Sequence, residues 1–124
     1  MKILIVLLVL LVSSSMGQVT EQWVQRYCGP GSSSDGGSAL KVDNAGNVFI
    51  LGTTSNGSTT DFITIKYNSS GVMQWLQIYD GTGNSVDRGS AITIDEEGNV
   101  YVSGFSTGVG SRYDFTTIKY DSLG

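Results

Sequence analysis

Carboxylates and tryptophans are the residues of this chain whose types and spacing could do chemistry. Asp95, Glu96 and Glu97 stand in a row. Crowded oxygen donors suit calcium, but an EF-hand loop spaces its ligands at alternate positions and closes on a glutamate. Neither Asp43–Gly46 nor Asp95–Gly98 does so, and the first stretch has Asn44 and Ala45 where the second has Glu96 and Glu97. Asp35 and Asp87, like Asp61 and Asp114, occupy matching places in two similar stretches. Paired carboxylates hydrolyse glycosides when they stand at a set separation and one has a raised pKa. Recurrence points instead to a structural job, bonding the N–H groups of loops. Trp23 and Trp75 could stack on sugars, but Trp75 precedes Leu76 and Ile78 in a strand-like run, and both tryptophans recur, which favours packing. There is no histidine, and Cys28 is the single cysteine. Ser-His-Asp, Cys-His and His-zinc chemistry are therefore excluded, and no internal disulfide can form. No cofactor or metal ligand is assigned, and an enzyme is not expected.

These residues recur because the chain is one unit written twice. Trp23 and Trp75 are 52 positions apart, as are Tyr27 and Tyr79, Asp43 and Asp95, and Gly52 and Gly104. After Gly104 the offset becomes 53, which pairs Asp61 with Asp114, Lys66 with Lys119 and Gly71 with Gly124. At the place of Cys28 the second copy has Asp80.

Each copy reads as four strands. "SALKV" and "SAITI" are followed by "NVFILG" and "NVYVSG", then by "DFITIKY" and "DFTTIKY", then by "VMQWLQIY", whose earlier counterpart is "TEQWVQRY" at Thr20 to Tyr27. Along the third strand Phe62, Thr64 and Lys66 share one face, and Ile63, Ile65 and Tyr67 share the other. Asp43 and Asp95 start tight turns by bonding the backbone two residues on, and Gly46 and Gly98 supply the left-handed residue that closes them. Asn68 to Gly71 and Asp121 to Gly124 form the second tight turn. Asn56 and Asn68 head glycosylation sequons, relevant only in a eukaryotic secretory route. Outside the N-terminus no window has helical spacing, so the expected class is all-β.

About 50 residues in four antiparallel strands is the size of a propeller blade. "SALKVDNAGNVFILGTT", "DFITIKY", "GVMQW" and "YDGTGNSVDRGSA" resemble the SBBP repeat, a family named for a seven-bladed β-propeller. Ala91, Asp95, Gly98, Asn99, Tyr101, Gly104, Asp114 and Phe115 fit its pattern; Phe49 replaces the tyrosine in the first copy, and "CGP" and "DGT" depart mildly from its Tyr-Gly-Gly loop. The resemblance spans nearly all of residues 18–124 and implies blades and an extracellular setting, without an activity. Sialidase-type boxes fail on the spacing from Asp43 to Gly46, and quinoprotein docking motifs fail by one residue before Gly71. Trp23, Trp75, Asp43, Asp95, Gly46, Gly98, Gly52, Gly104, Asp61, Asp114, Gly71 and Gly124 are expected to hold the repeat together.

Residues 1–17 read as a signal peptide. Lys2 precedes ten apolar residues, Ile3 to Val12, then small residues up to Gly17 or Ser15 as cleavage points; a membrane-spanning helix takes about 20. Residues 18–37 read as an outer strand and loop, 38–89 as blade one with its linker, and 90–124 as three strands of blade two. About two blades make an incomplete propeller, since closed rings use about four to eight. The chain is therefore expected to continue past Gly124, or several copies are expected to form a ring. With 7 basic residues against 11 acidic, the net charge of −4 becomes about −5 once Lys2 is removed, which disfavours nucleic acid and anionic lipid.

The longer loops, Thr53–Thr60, Gly81–Asp87 and Phe105–Tyr113, share one end of the blades, and binding usually lives on such loops. Arg112 and Tyr113, in the lengthened copy, are the candidate ligand contacts. The expected function is a secreted or cell-surface binding or scaffold module with an extracellular protein or glycan ligand. The alternatives are an oligomeric lectin-like propeller and the N-terminal part of a larger propeller enzyme.

Overall fold

The structure, a computed structural model, describes residues 17–30 and 34–124. The expected signal peptide, residues 1–17, lies outside the described residues except for Gly17. No helix among the described residues is long and apolar enough to cross a membrane. Among the described residues, seven strands form two antiparallel meanders. In blade one, β1 (Gly36–Val42), β2 (Val48–Ser55), β3 (Thr60–Tyr67) and β4 (Met73–Tyr79) lie in that order. In blade two, β5 (Arg88–Ile94), β6 (Val100–Ser106) and β7 (Asp114–Tyr120) do the same. Among the described residues the sheets do not close into a ring, and the fold is all-β, an incomplete propeller of stacked blades.

The turns explain the register. Asp43 Oδ1 accepts the N–H groups of Ala45 and Asn47, each at 2.9 Å. Gly46 follows at φ 79°, donating its N–H to the Asp43 carbonyl. This type I turn with a left-handed residue sets Val42 opposite Val48. Asp95 and Gly98 (φ 83°) repeat the turn and set Ile94 opposite Val100. Both inner strands carry a bulge at matching places, between Gly37 and Ala39 and between Gly89 and Ala91. Gly52 and Gly104 lie beside them, so close to the carbonyls of Gly36 and Arg88 that a Cβ would collide.

The side chains alternate across the sheets, so each blade has two faces. Phe49, Leu51 and Phe62 of blade one meet Ile92, Val100 and Val102 of blade two, and all six are buried. Ala39, Trp75 and Tyr79 join from blade one, and Ile94, Ile118 and Tyr120 from blade two. Ile63, Ile65 and Tyr67 point the other way, packing with Ile50, Leu76 and Tyr27. The main core is thus the seam between blades rather than the interior of either.

Thr20 to Tyr27 departs from the sequence reading, for it is not a strand. An outer strand forms only against the third strand of its own blade, and neither sheet of the described residues offers one there: β4 already covers β3, and residues 20–27 do not pair with β7. The segment nonetheless lies where a preceding blade's outer strand would lie. Its Trp23 reaches the Tyr67 ring at 6.1 Å, and its Tyr27 covers Ile63 and Ile65.

Removing a fully buried ring should cost far more than removing an exposed side chain. Phe62→Ala is expected to lower the unfolding free energy by about 3–5 kcal/mol. Val109→Ala, 82% exposed, should stay within about 0.5 kcal/mol. Urea midpoints with unchanged m-values check both.

Candidate functional site

Four of the repeated residues meet in two like contacts, a tryptophan over a glycine. The Trp75 indole lies over Gly124, with the Tyr120 ring at 6.0 Å and the Phe49 ring at 6.2 Å. Trp23 lies over Gly71 in the same manner. A side chain at either glycine would enter the ring: an added Cβ would stand 2.8 Å from Trp23 or 2.7 Å from Trp75. Both glycines also have positive φ, 79° and 100°. Trp23 Nε1 donates to the Ser69 carbonyl at 3.2 Å. At the second junction the matching carbonyl, that of Ser122, accepts from Lys66 Nζ at 3.3 Å, and the buried Trp75 Nε1 has no partner among the described residues.

Each blade-to-blade linker is folded around one aspartate. Asp87 is fully buried; its Oδ2 accepts from Gly81 N–H at 2.6 Å and its Oδ1 from Thr107 N–H at 3.0 Å. Asp35 accepts from Gly29 N–H at 2.7 Å and from the Thr54 hydroxyl at 2.8 Å. The Gly29 N–H, then the Thr54 hydroxyl, hold the Asp35 carboxyl below its ordinary value of 3.8. Asp95 is lowered first by the Asn99 side chain, with the Asn99 N–H and Tyr101 hydroxyl adding to it against burial. Burial works to raise Asp43, but the Asn47 side chain and the N–H groups of Asn47 and Ala45 outweigh it. The row of acids at Asp95 does not converge: Asp95 faces Asn99 and Tyr101, while Glu96 and Glu97 are exposed.

A convergence of acids exists elsewhere. One oxygen from each of Asp61, Asp80 and Asp87 lies within 4.8 Å of the others. Burial raises the Asp61 carboxyl, and Asp80 and Asp87 raise it further by repulsion. Its repeat partner Asp114 is exposed and accepts from the Ser111 hydroxyl at 2.6 Å. The difference is coverage, because the β4–β5 linker folds over Asp61 and its Asp87 N–H donates to the Thr60 carbonyl at 2.7 Å. Sequence reading missed this trio. The available signal was Asp80, which stands where the first copy has the exposed Cys28.

Arg112 and Tyr113 are exposed at the opposite end from the tight turns. They border a groove of about 380 Å³ with Ser85, Val86, Thr107 and Ser111. The Tyr113 ring stands edge-on to Phe105 at 4.7 Å. At the tight-turn end, Lys41, Asp43, Thr93, Asp95 and Glu96 border a cleft of about 460 Å³.

Two outcomes are expected of the linker and turn aspartates. Asp87→Asn puts an amide where two N–H groups need acceptors and should cost about 1–3 kcal/mol. The lowered Asp35, Asp43 and Asp95 contribute stability that is fully present above 3.8 and lost as pH falls through their depressed values. Thermal midpoints from pH 6 to pH 2 check this: Asp95→Ala should sit below the parent at pH 6 and meet it at the acid end.

No curated protein matches the chain in a sequence comparison. Its residues 74–110, from β4 through the linker to the β6–β7 loop, match the family model of SBBP, the beta-propeller repeat.

Proposed function

We propose that this chain is a secreted or cell-surface propeller module that binds or scaffolds and does not catalyse. The observation that carries the reading is an unequal pair. Phe62 is fully buried in the seam, whereas its repeat partner Phe115 is 85% exposed. On the opposite faces, Ile92 is 7% exposed and its partner Leu40 is 61% exposed. Blade one thus leaves its leading face open at β1, while Tyr27 covers Ile63 and Ile65 on the same face, and blade two leaves its trailing face open at β7; these are the two kinds of surface that meet in the seam. Head-to-tail contacts of this type propagate until a ring closes. Further blades, in one polypeptide or from several copies, fit these faces and would shield apolar surface that otherwise invites aggregation.

Two features support binding over catalysis. Asp35, Asp43, Asp87 and Asp95 have carboxylate oxygens engaged by backbone N–H groups of loops and turns. The groove beside Arg112 and Tyr113 combines a cation, an aromatic ring and hydroxyls, a set suited to a polar extracellular ligand such as a glycan or a protein loop. Residues 1–17 supply the export signal.

Light scattering on the product of the complete gene tests the assembly. Particles holding at least about four blades are expected, whether from one chain or several; a lasting two-blade particle would overturn it. N-terminal sequencing of exported protein should begin at Gln18 or Met16, and retention of Met1 would remove the export claim. On glycan and protein arrays, Arg112→Ala or Tyr113→Ala should weaken binding at least about tenfold.

A further inference from the structure

Three separate segments bring a carboxylate to the linker end of the seam between the blades. Asp61 is the second residue of β3, Asp80 directly follows β4, and Asp87 directly precedes β5. Asp87 is held in place by the Gly81 and Thr107 N–H groups. Asp80 is exposed and closes the cluster from the solvent side. Asp61 is only 6% exposed, and its Oδ1 has no hydrogen-bond partner among the described residues. The charged groups that act on it are the other two carboxylates. An ionised oxygen buried without a donor is expensive, and here it faces like charges.

We propose that Asp61, Asp80 and Asp87 form a calcium site that fastens the linker between the blades to the start of β3. The donors are all carboxylate oxygens, which suits hard divalent cations; nitrogen and sulfur ligands for softer metals are missing from the trio. The three oxygens lie within 4.8 Å of one another, close enough to share one cation whose oxygens sit about 2.4 Å away, as calcium's do. Magnesium demands a near-ideal octahedron at about 2.0–2.1 Å and gives up its waters reluctantly, so three carboxylates from separate segments suit calcium better. The open Asp80 side leaves room for the waters that complete six to eight ligands.

The repeat separates this role from the structural one. The first linker keeps the aspartate that folds the loop, Asp35, but has Cys28 where Asp80 stands. Folding the linker therefore requires one aspartate, and Asp80 is additional to it. Among the described residues the full trio occurs once.

The test uses the full chain, freed of metal with chelator and returned to matched ionic strength. Calcium at 10 mM is expected to raise the thermal midpoint by about 5 °C or more, given the affinity of order 10⁻⁴–10⁻³ M usual for open extracellular sites. Magnesium should raise it by less than half as much. Asp80→Asn leaves the Asp87 loop bonds in place and should abolish the calcium shift, and titration calorimetry should show the same loss of binding. A parent protein that responds to calcium no more than to sodium chloride would overturn the site. An unchanged calcium shift in Asp80→Asn would overturn it equally.

Discussion

A sheet that is apolar on both faces cannot stand alone in water, and everything else in this molecule follows from that constraint. Strands of alternating polarity would bury one face and wet the other. Here β3 carries Phe62 and Thr64 on one side and Ile63, Ile65 and Tyr67 on the other, all of them buried. Each blade must therefore be covered twice, and a second blade of the same design is the simplest cover. The seam of Phe49, Leu51 and Phe62 against Ile92, Val100 and Val102 is the result.

The tryptophan and glycine of each unit make that stacking repeatable. A ring from one unit's outer segment needs a flat, Cβ-free landing on the next unit, and the glycine that ends the β3–β4 turn supplies it. This contact survives at Trp23 and Gly71 even where residues 20–27 form no strand. Side-chain docking and backbone pairing are therefore separable here. Docking needs only the next blade's face, whereas pairing needs a neighbouring strand of the same blade.

Identical sequence positions acquire different chemistry once the blades are stacked. Asp61 and Asp114 hold matching places in β3 and β7, each followed by a phenylalanine and each opposite the equivalent residue of the preceding strand, yet one is buried among carboxylates and the other is exposed beside Ser111. The linker that covers Asp61 also brings Asp80 and Asp87, which are distant in the chain from β3. Burial and charge at such a junction belong to the pair of blades and to neither blade alone, which is why a junction can gather a candidate site that the single repeat lacks.

Sequence alone determined the strand order, the two tight turns, the division of β3 into two faces and the all-β repeat, because these depend on local physics: alternation, turn residues with fixed backbone needs, and a recurring spacing. Its reading of Thr20–Tyr27 as a strand failed because ladder formation depends on a partner that local pattern cannot reveal. The tertiary structure alone decided which face of each blade meets which, why Phe62 is covered and Phe115 is not, and that Asp61, Asp80 and Asp87 converge. These are contacts between segments far apart in sequence, and their geometry is set by the stacking of two sheets, which no single stretch of residues encodes.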